Sequence, residues 1–141
     1  MRGEKDCSQI IQKMSPSLQA QRYVFCTIQD AKYGDFSHCH PIGSFIEREG
    51  LTLILEEGKA EQEELSYEGV FQCITLNVHS SLHAVGLTAA VSTALARHNI
   101  SANMVAGYFH DHIFVPTEQA NDALRILQSM TQKPKMDVGN K

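Results

Sequence analysis

The chain has no tryptophan, only four prolines and four cysteines, and no excess of basic residues. The cysteines (Cys7, Cys26, Cys39 and Cys73) are far apart in the sequence, and two of them lie in apolar runs typical of strands. This distribution favours buried thiols in a reducing compartment over a disulfide framework. Twelve basic residues against sixteen acidic ones give a net charge of −4. Nucleic-acid binding needs clustered Lys and Arg, so we expect no nucleic-acid partner.

Long apolar segments are also missing. No run approaches the roughly 20 residues that a membrane-spanning helix needs. The residues from Met1 to Gln9 are polar and charged where a secretory signal would be apolar. We therefore expect a cytoplasmic protein with no membrane partner.

Catalytic motifs are absent as well. The sequence contains no Gly-rich phosphate loop, nucleophile elbow, HExxH or CxxC. His79 and Ser80 are neighbours in sequence, but catalytic pairs are recognised by their geometry in the fold. The sequence predicts no catalytic residue, no cofactor and no enzymatic activity.

The chain is 43% apolar, which is typical of a globular protein. Its first half predicts a short helix followed by three strands. The helix covers Ser8 to Leu18, although Pro16 should end it early. A strand is predicted at Tyr23 to Ile28, and a hairpin pairs Ser44 to Glu49 with Leu51 to Leu55. The last strand, LTLIL, is apolar on both faces, so we expect it to be central and buried.

The second half predicts a strand, a helix, two strands and a last helix. Phe71 to Val78 forms the first strand, and Asn99 stands where a left-handed helix cap is wanted. Ile100 to Tyr108 and Asp111 to Pro116 form a hairpin, and Thr117 caps the last helix. This order begins a ferredoxin-like βαββαβ arrangement whose final strand is missing or lent from elsewhere.

A weaker form of the same order occurs in the first half. Pairing Leu51 with Asp111 and Cys26 with Ile74 leaves the first copy about 12 residues shorter between these strands. The first copy has therefore lost most of its first helix. We predict one unit over residues 1–67, a second over residues 68–130, and a loose tail over residues 131–141.

Three short elements of the second half carry a resemblance to a known family. A strand ends in the polar Asn77, a loop leads through Gly86 to a helix, and an Asn99-Ile100 turn opens the next strand. The segments GLTLIL and AGYFHDHIFVP add to them. With these elements the chain resembles the ACT-domain superfamily, and within it small bacterial proteins with two ACT-like units. The resemblance implies an α+β, ferredoxin-like ACT sandwich that binds a small molecule, an amino acid or related metabolite, between units.

A ligand site is expected at the turn from the second-half strand to its helix. The turn combines polar side chains, free backbone donors at a helix start, and a glycine that leaves room. Asn103 would face it, because we expect the strand after the helix to lie close to the strand before it. Two of these residues, Ser80 and Ser81, also fit simple helix caps, and Gly86 also fits close packing within the helix. The predicted site comprises Asn77, His79, Ser80, Ser81, Gly86 and Asn103.

Histidine is the unusual enrichment, with seven residues. His38 and His40 flank Cys39, and His110 and His112 lie two apart, a spacing that could hold a transition metal. A metal-binding protein or metal-dependent enzyme is therefore an alternative function. A zinc site needs about four convergent ligands, so we predict no resident metal and interpret the two segments as a surface loop and a hairpin turn.

A structural or partner-binding subunit is the remaining alternative. The second unit lacks a recognisable final strand, which would leave a sheet edge free to pair. The sequence therefore predicts a two-fold homodimer.

Overall fold

A computed structural model describes residues 7–79, 82 and 85–132. The protein is α+β, with six strands and four α-helices among these residues. Along the chain they are α1 (Cys7–Lys13), β1 (Pro16–Ile28), β2 (Gly43–Glu47), β3 (Gly50–Glu56), α2 (Glu57–Gln62), β4 (Phe71–Leu76), α3 (Leu87–Ala96), β5 (Asn103–Ala106), β6 (Asp111–Pro116) and α4 (Ala120–Met130). No helix in the described ranges combines the length and apolar character that a membrane span requires.

The chain forms two compact units. One combines Met1–Gln19 with Cys73–Lys141, and we call it the flanking unit; the other is Ala20–Gln72, the inserted unit. The predicted divisions at residues 1–67, 68–130 and 131–141 remain a prediction, and residues 133–141 lie outside the described part of the chain.

In the flanking unit the strand order is β1-β4-β6-β5. The first residues of β1 therefore lie beside β4, where a ferredoxin-like unit has its final strand. Two contacts hold this segment: the Asn77 amide donates to the Met14 carbonyl oxygen at 2.9 Å, and Gln19 Nε2 donates to Thr75 Oγ1 at 2.9 Å. Of the two alternatives expected for the final strand, missing or lent from elsewhere, the structure shows the second. The edge on which we based the homodimer is thus already occupied.

The core of the flanking unit joins its helices to β4 and β6. α3 buries Leu87, Val91 and Leu95, which are spaced four residues apart and so share one helix face. They pack in one cluster with α1, the two strands and α4, whose residues Ala120, Ala123 and Leu127 are buried. This cluster fixes the start of α3 relative to the end of β4.

In the inserted unit the strand order is β2-β3-β1, and β1 and β3 are antiparallel, with Ile28 opposite Leu51. The prediction that β3 is central and buried is confirmed. Residues 29–42, all of them described, contain only a single 3₁₀ turn at Ser37–Cys39 between β1 and β2. The expected loss of the first helix in the first copy is therefore confirmed.

The bounds of several elements differ from the predictions, β5 being shorter than the predicted strand from Ile100 to Tyr108, and two differences change an assignment. β1 begins at Pro16 rather than at Tyr23, so Leu18 belongs to a strand; proline is tolerated as the first residue of a strand because its missing N–H costs no ladder bond there. Thr117 does not cap α4, because a 3₁₀ turn at Thr117–Gln119 precedes that helix. The Thr117 Oγ1 atom is buried without a hydrogen-bond partner.

Candidate functional site

The turn between β4 and α3 covers residues 77–86, which are only partly described. Gly86 is the N-cap of α3, with φ 101° and ψ −20°, and does not lie inside the helix as predicted. Side-chain-bearing L-residues rarely adopt this backbone conformation, so it explains the glycine without any packing requirement. Ser80 and Ser81, predicted as caps and ligand contacts, lie outside the described residues. The capping interpretation is wrong for α3, because Gly86 holds the cap position.

The N-terminus of α3 has no side-chain cap and no acidic residue in its first turn. The amide of Ala90 donates to the Gly86 carbonyl oxygen at 2.9 Å. The amides of the residues before it have no acceptor within the helix, by the geometry of any α-helix. These amides and the positive end of the helix dipole favour a negatively charged group.

Asn77 has a structural contact of its own. Its Nδ2 atom donates to the Ser15 carbonyl oxygen at 3.0 Å, and its side chain is otherwise exposed. Ser15 has φ 31°, at the bend between α1 and β1. Asn77 therefore ties the lent segment to the end of β4.

His79 packs against the turn that joins β5 to β6. Its ring centroid lies 5.2 Å from that of Phe109 and 6.3 Å from that of Tyr108. Tyr108 and Phe109, which we call the aromatic tip, are 65% and 53% exposed. Sequence analysis quoted these residues in AGYFHDHIFVP and predicted a hairpin turn nearby, which the 2.8 Å bond from the Gly107 amide to the His110 carbonyl oxygen confirms. Only the topology shows that the tip meets His79.

Asn103 is not brought to this turn. The reason for including it is wrong, because β6 lies between β4 and β5 and places Asn103 on an edge strand. Asn103 is paired with Phe114, two residues further along β6 than His112. His112 is the β6 residue that contacts β4 near its end, through Thr75. The Asn103 Nδ2 atom donates to the Phe114 carbonyl oxygen at 3.4 Å, which accounts for this polar side chain locally.

A buried polar chain runs beneath the turn. Thr75 is buried, and its Oγ1 atom lies 3.0 Å from His112 Nδ1 while it accepts from Gln19. Burial lowers the pKa of His112, and the neighbouring His110 lowers it further. Through its bond to Thr75, His112 serves as a hydrogen-bonding residue at the edge of the core. Among the described residues, no third metal-ligating side chain joins His110 and His112.

The histidine cluster around Cys39 gains a third metal-ligating side chain. His38 and Cys39 lie on the 3₁₀ turn of the inserted unit and not on a strand, and Glu63 joins them. The His38 Nε2 atom lies 3.2 Å from Glu63 Oε2. Glu63 was not predicted as a member of this cluster, because it lies more than twenty residues away in the sequence, at the end of α2. His40, predicted with this cluster, is not among the three residues.

Two open grooves lie away from the β4–α3 turn. One, of about 380 Å³, is lined by the β1–β2 connection and by β3 in the inserted unit. The other, of about 290 Å³, lies between the end of α3 and α4. Neither includes a residue of the predicted site.

The chain is similar to known protein families and solved structures. Two family models of the ACT domain match the chain in tandem, over residues 2–72 and 69–129. The chain belongs to the ACT-domain family. ACT domains are regulatory small-molecule-binding units, and this chain contains two of them. No curated protein matches the chain.

Solved structures support the same fold. A Vibrio cholerae protein, described as a possible transport protein of unknown function, is 51% identical over 91% of this chain and 98% of its own, with a TM-score of 0.83. An Agrobacterium tumefaciens protein shares 12% identity over 82% and 87% of the two chains, with a TM-score of 0.68. The regulatory subunit of Thermus thermophilus aspartate kinase shares 11% identity over 83% and 97%, with a TM-score of 0.57. The last two likenesses concern the fold alone.

Proposed function

We propose that the protein is a non-catalytic regulatory protein that binds an amino acid or a related metabolite at the β4–α3 turn of its flanking unit. One observation carries the proposal: the uncapped N-terminus of α3, which favours an anion, ends the turn that carries His79, and the His79 ring contacts the aromatic tip. The tandem ACT domains supply the general regulatory context.

The chemistry of the turn fits a ligand with a carboxylate and an apolar part. The first amides of α3 would donate hydrogen bonds to the carboxylate, since no acidic side chain in the first turn repels it. Tyr108 and Phe109 offer exposed ring faces, and Leu82 and Val85 are 63% and 83% exposed. Apolar surface beside an anion-binding helix end is the combination that an amino acid with an apolar side chain needs.

The predicted residues contribute in different ways. His79 would contact the ligand, and Gly86 would allow the backbone conformation that starts α3 at the turn. Asn77 would hold the turn through Ser15. The ligand contacts of Ser80 and Ser81 remain predictions from the sequence.

A thermal-shift screen of amino acids, nucleobases and divalent metals tests the proposal. A ligand that binds only the folded state at 100 times its Kd stabilises the protein by about 2.7 kcal/mol. We expect an amino acid to raise the Tm and His79→Ala to reduce that rise. His98→Ala is the matched control, because His98 is exposed at the other end of α3 and bonds to Ala94 of the same helix. An unchanged rise in His79→Ala would place the ligand elsewhere.

We also propose a cytoplasmic homodimer, on evidence other than a missing strand. β2 and β5 are edge strands within their units, and β2 exposes Phe45 and Ile46 at 70% and 69%. Exposed apolar residues on an edge strand favour pairing with another chain. Sedimentation should give a dimer at tens of micromolar, and a monomer of 15.7 kDa would contradict this part of the proposal.

A further inference from the structure

Three side chains with different ligand atoms meet in the inserted unit, away from the proposed amino-acid site. They are an imidazole, a thiol and a carboxylate, from His38, Cys39 and Glu63, and their ligand atoms all lie within 4.8 Å of one another. Two come from the 3₁₀ turn that replaces the first helix, and Glu63 is the C-cap of α2. An ion bound here would join two segments that are remote in sequence.

The turn that carries His38 and Cys39 has an unusual backbone. Phe36 before it has φ 65°, and His40 after it has φ 52°. A bulky residue such as phenylalanine is rare in the left-handed region, and such residues cluster at binding and catalytic sites. The Phe36 and His38 rings stack with centroids 6.0 Å apart, and His38 Nε2 lies 3.2 Å from Glu63 Oε2.

The three ligand side chains differ in how far they are exposed to solvent. Cys39 is only 3% exposed and belongs to the core cluster of the unit, whereas the side chains of His38 and Glu63 are 65% and 33% exposed. The thiol is therefore held in place by packing, and the two outer ligands can adjust. The charged groups that act on the thiol are Glu63 and Lys59. The positive charge of Lys59 opposes a bound cation, whereas the negative charge of Glu63 favours one.

The ligand types select the metal. Thiolate and imidazole ligands suit zinc and disfavour calcium or magnesium, which prefer oxygen. Zinc-ligand bonds of about 2.0–2.3 Å in a tetrahedron separate the ligand atoms by roughly 3.3–3.6 Å. The His38–Glu63 pair, at 3.2 Å, already has nearly this spacing. From this geometry we propose that His38, Cys39 and Glu63 bind one Zn²⁺ per chain, with a fourth position open to water. This replaces the sequence-based expectation of no metal, which did not include Glu63.

Cobalt titration of the tag-free protein tests the site, because Co²⁺ occupies zinc sites and gives an intense ultraviolet charge-transfer band when a thiolate binds it. We expect the band to saturate at one cobalt per chain and to disappear on addition of zinc. Cys39→Ser should abolish the band. Glu63→Gln, nearly isosteric and at the surface, should keep the band but weaken cobalt binding at least tenfold.

Two variants serve as controls. His40→Ala removes the neighbouring imidazole, and Cys73→Ser removes a buried thiol of the flanking unit; both should bind cobalt as the parent does. The absence of a charge-transfer band in the parent protein would overturn the proposal, as would a band that survives in Cys39→Ser. Unchanged cobalt affinity in Glu63→Gln would also overturn it, and this variant leaves the core intact if Cys39→Ser fails to fold.

Discussion

The two units differ most between their first and second strands. In the flanking unit a partly described turn leads from β4 into the ten-residue helix α3. In the inserted unit the corresponding connection, residues 29–42, has only the 3₁₀ turn at Ser37–Cys39. The rest of the order, a hairpin followed by a helix, is shared.

The difference shows how loss of one helix changes the chemistry of an ACT unit. α3 supplies three buried side chains and an N-terminus that favours anions. The 3₁₀ turn supplies the single buried Cys39 to its core and presents side-chain ligands suited to a cation. We infer that the units have diverged in what they bind, with the anionic ligand assigned to the flanking unit.

The largest expected effect on stability comes from a buried residue of α3 and tests how much the packing of this helix stabilises the flanking unit. Leu95 is fully buried in its core cluster, so Leu95→Ala should lower the free energy of unfolding by about 3 kcal/mol, because the side chain leaves a cavity. Thr93→Ala, on the exposed face of the same helix, should change it by less than about 0.5 kcal/mol. Urea denaturation measures both, and equal effects would contradict the packing that we describe.

Two glycine substitutions should act in opposite directions. Gly86→Ala in the flanking unit should destabilise by about 1–2 kcal/mol, because φ is 101° there. Gly58→Ala in the inserted unit should stabilise by about 0.5–1 kcal/mol, because Gly58 lies in α2 with open space around its Cβ position. Thermal unfolding of the two variants measures the contrast. A neutral Gly86→Ala would show that α3 begins differently.

A smaller effect should appear with pH in the flanking unit. The pKa of His112 is lowered in the folded protein, chiefly by burial, from an ordinary value of 6.5. Below pH 6.5, His112 binds a proton in the unfolded chain but stays unprotonated in the folded chain until the pH reaches its lower folded pKa. The free energy of unfolding should therefore fall as the pH decreases toward the folded pKa. His112→Gln should reduce this slope, whereas His98→Gln should keep it. Urea denaturation between about pH 5 and 7 measures the slope.

Local patterns in the sequence predicted much of the fold. Alternation and apolar runs located β3 and β6. Asn99 has φ 59°, as a left-handed cap requires. The start of α3 was misplaced because glycine at a positive-φ cap and glycine inside a helix look alike in sequence.

The candidate sites are formed by contacts between residues remote in the sequence, which the spacing of residues could not predict. His79 meets Tyr108 and Phe109 only because β6 begins beside the end of β4. Glu63 meets Cys39 only because α2 follows β3 directly and returns over the unit. Asn103 was included because the strand after α3 was expected to lie next to β4. In the sheet, β6 lies between β4 and β5, which carries Asn103.

Mapping of amide chemical shifts on the isotope-labelled protein, during titration with the amino acid that raises the Tm most, tests the division of sites most directly. We predict that the perturbed amides cluster at Gly86 and Leu87, at His79, and at Tyr108 and Phe109, with residues 29–42 unaffected. Perturbations confined to residues 29–42, or no perturbation by any amino acid, would contradict the assignment of the anionic ligand to the flanking unit.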